Sequence, residues 1–366
     1  MKRTILSVAY PLTEVGEDAV GGSEQILTLI DRALTLEGHR SIVIAAEGSK
    51  ICGTLIPAPR PKGRLDDSMR QWGRAVHKKL IQDVLKRMPI DLVHMHSLDF
   101  HTYLPEARTP LLATLHLPPD WYPKSIFQSR RQVFWMNCVS QSQNSACPSS
   151  AALLDPIPNG VDVTRLGGQS GKRNFVVSLG RICPEKGFHF ALDAARRAGV
   201  DMLLAGEVFP YKFHLDYFRK QIKPRLDRRR RFLGPVGFAC KRTLLSQARC
   251  LLIPSTVAET SSLVAMEALA CGTPVIAFRS GALPEIVDHG RTGFIVSNTY
   301  EMSQAIKKID TLDPAHCREA ARKRFSAPVM TSRYLQLYSQ LIDRSDASHL
   351  APSLATKRSA GLLAHL

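Results

Sequence analysis

Two successive α/β units, each built on a parallel sheet, are the architecture this sequence predicts. Short apolar runs alternate with amphipathic stretches from end to end, which is the pattern of repeated strand–helix units. The alternation comes in two series with a glycine-rich seam between them, and 366 residues is long for one core but natural for two.

The first series places strands at 5–9, 41–46, 91–94 and 110–115. Between the first two, Ile26, Leu27, Ile30, Ala33 and Leu34 keep helical spacing and Gly38 closes the turn, so 24–36 reads as a helix. The seam is LGGQSGKRN, where Gly, Ser and Gln show no apolar periodicity. It divides a first domain at 1–165 from a second at 174–325, with 166–173 as linker. Gly171-Lys172 superficially suggests a P-loop, yet Leu166 occupies the required glycine position and Arg173 stands where Ser or Thr is needed. The second series places strands at 174–179, 202–205, 231–233, 250–253, 274–277 and 293–296. Met330, Tyr334, Leu337, Tyr338 and Leu341 share one face of a final helix, 326–342, which therefore docks on a domain. Residues 343–366 read as a loose tail.

Composition removes several classes. A 22% charged and 44% hydrophobic chain is not disordered, collagen-like or a coiled coil. No apolar run is long enough to span a bilayer. The opening MKRTILSVAYPL runs into TEVGED without a small-residue cleavage pattern and reads as a first strand. Eight cysteines lie singly, with no Cys-x-x-Cys and no His/Cys spacing suited to zinc, which points to a reducing cytoplasm. Lys and Arg exceed Asp and Glu by 49 to 32, a net charge of +17. Much of that excess sits in Arg225, Arg228, Arg229, Arg230 and Arg231, which read either as a solvated helix end or as a surface for phosphates. No aromatics interleave with them, so base stacking has no platform and nucleic acid is not an expected partner.

Ligands of open α/β sheets gather beyond the carboxyl ends of strands, and five places there stand out. In GRICPEKG, Arg181 and Lys186 converge at a helix head and suit a diphosphate, gripped as a fork and as a point charge. In AETSSLVAMEALACGTPVIA, Glu259 and Glu267 lie near one face of a helix that begins at Ser262. First-turn N–H groups near Ser262, Leu263 and Val264 are open to an anion, and the carboxylates suit sugar hydroxyls, Glu267 those of a ribose. Gly21 and Gly22 precede a helix and let backbone approach a phosphate or sugar. His94, His96, His101 and His116 follow strands of the first sheet, and His116 is the one expected to face the cleft. Gly234 to Val236 places backbone where it could read a base edge.

IPNGVD (residues 157–162), GRICPEKG, FLGPV, AETSSLVAMEALACGTPVIA, GALPEIV and GRTGFIV occur in the order seen in family-four, retaining, GT-B glycosyltransferases. The chain resembles that family over roughly residues 5–342. The resemblance implies two Rossmann-like domains across a cleft, with the final helix crossing back to the first. It places the paired glutamates on Glu259 and Glu267, the phosphate cations on Arg181 and Lys186, the glycine loop on Gly21 and Gly22, and the cleft histidine on His116. It also implies a nucleotide-diphosphate sugar as co-substrate on the second domain, a hydroxyl acceptor on the first, and retained anomeric configuration. With no Asp-x-Asp in the chain, no metal and no other cofactor are expected. The rival reading is a non-catalytic nucleotide- or polyanion-binding protein on the same fold. The chain departs from many relatives at Thr260-Ser261-Ser262, where they carry Gly-Phe-Gly. The arginine run adds a peripheral contact with an anionic inner membrane surface as one reading of location.

Overall fold

A computed structural model describes residues 2–19, 21–60, 66–106, 108–168 and 171–359, with side chains to 346. The first half runs β1 (Thr4–Val8), α1 (Gly22–Leu36), β2 (Arg40–Ala46), β3 (Thr54–Ala58), α2 (Asp67–Arg87), β4 (Leu92–Met95), β5 (Leu111–Leu115), β6 (Phe134–Cys138), α3 (Gln141–Ala146) and β7 (Leu153–Leu154). These strands form one sheet in the order β3-β2-β1-β4-β5-β6-β7, parallel throughout.

After α4 (Val163–Leu166), the second half runs β8 (Phe175–Leu179), α5 (Phe188–Ala198), β9 (Asp201–Ala205), α6 (Lys212–Tyr217), β10 (Arg230–Phe232) and α7 (Phe238–Gln247). It continues through β11 (Leu251–Ile253), α8 (Leu263–Ala270), β12 (Val275–Phe278), α9 (Leu283–Ile286), β13 (Gly293–Val296), α10 (Thr299–Lys308) and α11 (Pro314–Arg324). Its sheet is also parallel, in the order β10-β9-β8-β11-β12-β13. Both halves are Rossmann-like, and in each the strand order reverses beside the first strand, which opens a crevice between β1 and β4 and another between β8 and β11.

The last helix, α12 (Ala327–Ser359), crosses back to the first domain. Met330, Tyr334, Tyr338 and Leu341 join Ile5, Ile26, Ile30 and Leu92 in one buried cluster. The Tyr338 hydroxyl meets His94 Nδ1 at 2.7 Å and the Tyr334 hydroxyl meets Thr114 Oγ1 at 3.2 Å, so a polar seam fixes the register of an otherwise greasy contact.

Three differences from the sequence reading have physical causes. Strands β3, β6 and β7 were not expected. Pro57 in β3 is tolerated because β3 is an edge strand, β6 hides Asn137 among apolar residues, and β7 is only two residues. The tail from Asp343 is helical to Ser359. Asp343 pairs with Arg3 at 2.8 Å and Ser345 is buried, so the helix is anchored past its expected end; residues 360–366 lie outside the described residues. The predicted linker is trimmed at both ends, because Leu166 is buried in α4 and Lys172 Nζ already bonds Thr273 Oγ1 at 2.5 Å; residues 169 and 170 lie outside the described ones.

Candidate active site

The β8–β11 crevice gathers the charged groups of the second domain. Gly180 leaves β8 with φ +147°, and Gly187 starts α5 with φ +62°. A Cβ on Gly187 would lie 2.2 Å from the Pro254 carbonyl, so only glycine lets the β8 loop press against the β11 loop. Thr256 N–H donates to the Glu185 carbonyl at 2.9 Å and ties the two loops together. Across this seam Lys186 Nζ reaches Glu259 Oε1 at 2.6 Å, although the residues are 73 apart in sequence. The buried Ser255 hydroxyl donates to the same oxygen. Gly281 passes against the Glu259 backbone, and Ala282 N–H donates to its carbonyl at 2.8 Å. Arg181 stands exposed at the mouth, with its guanidinium in no ion pair among the described residues.

Helix α8 begins beside this pair. Ser262 caps it with extended backbone and no side-chain bond, so the first-turn amides at Leu263 and Val264 are open to an anion. Glu267 lies one turn further on and is buried. Lys241 Nζ on α7 holds its Oε1 at 2.5 Å; burial pushes the Glu267 carboxyl up, and Lys241 opposes that. A crevice of about 50 Å³ reaches Glu267 between Gln25, Arg32, Arg165 and Phe238. A ribose approaching Glu267 Oε1 must therefore displace Lys241.

The first domain supplies less than its sequence promised. The space beside Gly21 is filled by the Glu24 carboxylate, whose oxygen would lie 1.9 Å from an added Cβ, and Gly21 has ordinary extended backbone. At Gly21 the Glu24 carboxylate lies where a ligand would approach, held by the Thr13 and Ser23 hydroxyls. Gly22 faces Leu263 across the domain boundary at 3.3 Å from its Cβ position. His116 follows β5, stacks on His96 with Nε2 3.1 Å from His96 Nδ1, and is pushed down to about 4 by burial. It is a neutral imidazole at ordinary pH. Its carbonyl accepts from Thr260 Oγ1 at 2.9 Å, so the residue that departs from Gly-Phe-Gly clasps the two domains. His94 is enclosed by Tyr338 and Thr114, and the His101 ring sits edge-on beside Phe100. Gly234 has φ +73° and its carbonyl accepts from Gly206 N–H, while the Val236 side chain packs on the core.

The arginine run starts at a helix end and runs into a strand: Arg225 closes a short helical turn, Lys223–Arg225, and Arg230 and Arg231 lie in edge strand β10. Arg225 pairs with Asp193 at 3.0 Å, Arg229 with Asp201 at 2.6 Å, and Arg230 with Asp227, so much of the positive field is spent inside the chain. Sequence reasoning missed Lys241 and Ser255 and marked Thr260 only as a departure from Gly-Phe-Gly. Lys241 and Thr260 act on groups distant in sequence, Glu267 and the His116 carbonyl, while Ser255 lies four residues before Glu259 and only the folded loop turns its hydroxyl onto that carboxylate.

Residues 173–311, which hold the second sheet and both crevice loops, match the family model described as glycosyl transferases group 1. This domain belongs to that family. Along the whole glycosyltransferase chain, a phosphatidyl-myo-inositol mannosyltransferase of Mycobacterium tuberculosis is 27% identical over 344 residues, covering 85% of this chain and 88% of that one. A glycogen synthase of the same organism is 32% identical over 151 residues, 39% of this chain and 35% of its own. Sucrose-phosphate synthase from Thermosynechococcus elongatus superposes with a TM-score of 0.76 at 19% identity, over 93% of this chain and 100% of that one. HepE of Anabaena, solved with UDP and glucose, superposes at 0.71 and 20% identity, over 92% and 99%. These likenesses assign the glycosyltransferase the GT-B fold.

Proposed function

We propose that this glycosyltransferase moves a hexosyl unit from a nucleotide-diphosphate sugar to a hydroxyl acceptor with retention of anomeric configuration, and that no metal ion takes part in the transfer step. The observation that supports the reading is the meeting of Lys186 with Glu259 across the β8–β11 crevice, ahead of the uncapped α8 terminus and on the loop that also carries the exposed Arg181. The relatives support it: one is named for mannosyl transfer, and HepE has been solved with UDP-glucose.

Breaking the bond between sugar and phosphate leaves a diphosphate gaining negative charge and an oxocarbenium-like sugar. On donor binding Glu259 exchanges its bond to Lys186 for sugar hydroxyls and Glu267 takes the ribose. Lys186, so released, then meets the developing charge together with Arg181 and the α8 amides. His116, neutral, positions sugar or acceptor through hydrogen bonds without adding charge. These internal pairs also favour a second reading, a protein that binds nucleotides without turning them over, because one oxygen of each carboxylate is already held by a lysine.

The test is release of nucleoside diphosphate from a panel of nucleotide sugars, with and without hydroxyl acceptors and with chelator present. The transferase reading expects slow hydrolysis without acceptor, faster release with the right one, indifference to chelator, and loss in Arg181→Ala. Stabilisation by nucleoside diphosphate without any turnover would instead establish the binding reading.

A further inference from the structure

Outside the proposed transfer chemistry, the β8 loop carries a second constellation. The Cys183 thiol, the Glu185 carboxylate and a ring nitrogen of His214 lie within 4.8 Å of one another. Cys183 and His214 are buried, while Glu185 opens to solvent. His214 comes from α6, packed among Phe209, Tyr211 and Phe213. Its Nδ1 is buried with no hydrogen-bond partner. A buried polar atom left without a partner costs free energy, and it belongs to the ring that stands beside a thiol and a carboxylate.

From this cluster we infer that Cys183, Glu185 and His214 form a site for a borderline transition-metal dication such as Zn²⁺. Sulfur, nitrogen and carboxylate oxygen are the donor set such an ion prefers. A tetrahedral zinc with Zn–S about 2.3 Å and Zn–N about 2.0 Å spaces its ligands about 3.5 Å apart, so side-chain shifts of about 1 Å close the shell. Thiolate and carboxylate together neutralise the dication. The fourth position faces solvent on the Glu185 side.

The bound ion staples α6 to the β8 loop. Thr256 anchors the Glu185 backbone separately. The loop therefore keeps its path when the ligands are changed.

The test is titration of the chelator-stripped full chain with Co²⁺, read as a thiolate-to-cobalt charge-transfer band, alongside the zinc content of protein reloaded with Zn²⁺. The expected result is about one equivalent of metal and a charge-transfer band. Cys183→Ser abolishes the band, and Glu185→Gln weakens Co²⁺ binding at least about tenfold. Glu185 is exposed, so that variant leaves the core intact if Cys183→Ser fails to fold. Cys240→Ser, which removes an exposed thiol elsewhere, keeps the band. A wild-type chain that takes up no cobalt overturns the inference. So does a band that survives Cys183→Ser and vanishes in Cys138→Ser, because Cys138 Sγ lies 3.4 Å from Cys147 Sγ and offers a competing pair of thiols. Neither outcome bears on the transferase reading, since metal uptake is measured without turnover.

Discussion

Lys186 has one carboxylate for company, and that carboxylate has another donor in Ser255. Removing the lysine therefore leaves Glu259 partly satisfied, and the main loss falls on whatever anion Lys186 was to meet. Loss of one preorganised donor to a developing charge is worth about 3 kcal/mol, roughly a hundredfold in turnover. Lys186→Met is expected to lower kcat by about that factor with little change in the donor KM, as measured by steady-state kinetics on the folded variant. A fall in kcat of less than about threefold would remove Lys186 from the leaving-group site. Lys186 was visible in the sequence through its motif; its partnership with Glu259 was not, because nothing in either motif mentions the other.

At the scale of elements, the crevice depends on loops that cross at less than side-chain distance. Gly281 adopts φ +52°, and an added Cβ would lie 2.2 Å from the Glu259 carbonyl and 2.4 Å from its amide nitrogen. Gly290 has φ +77° but open space around it, which makes it the natural control. Left-handed backbone alone costs an L-residue about 1–2 kcal/mol. Gly290→Ala should cost about that much, whereas Gly281→Ala should cost more and also shift Glu259. Urea unfolding midpoints report the first difference, and loss of turnover in Gly281→Ala alone reports the second. Equal midpoints and equal turnover would mean that the loop gives way without moving the carboxylate. GALPEIV was legible as a motif, but what its first glycine touches could be known only once the loops were folded together.

For the whole molecule, two couplings stand out. The first is α12. Tyr338→Phe would leave buried His94 Nδ1 without its 2.7 Å partner, a loss of about 1–3 kcal/mol, and should lower the urea midpoint of the first domain although the substitution lies in the last helix. An unchanged midpoint would show that packing alone holds α12. The second is acid sensitivity. Burial pushes His77 and His116 down to about 4 and His94 and His96 well below the ordinary histidine value. The unfolded chain takes up protons near 6.5 and the folded one does not, so stability is full above that value and falls as pH drops from about 6.5 towards 4. His77→Leu, which removes one of these groups, should spare about 2 kcal/mol of the loss between pH 7 and pH 5, read from urea unfolding at the two values. Parallel pH profiles for wild type and variant would assign the acid loss elsewhere.

Local information determined a good deal of this protein. Alternating apolar runs set out two α/β units, and the order of short motifs marked the loops that carry Arg181, Lys186, Glu259 and Glu267, because periodicity and turn chemistry act between near neighbours in sequence. Strands without that pattern, β3, β6 and β7, escaped it. Tertiary structure alone decided which groups meet: Lys186 with Glu259, Lys241 with Glu267, Thr260 with the His116 carbonyl, and Cys183 with His214. Each contact joins loops or helices that sheet order and domain docking make adjacent. The free energy that selects them comes from burial and long-range hydrogen bonds, which no short window of sequence contains.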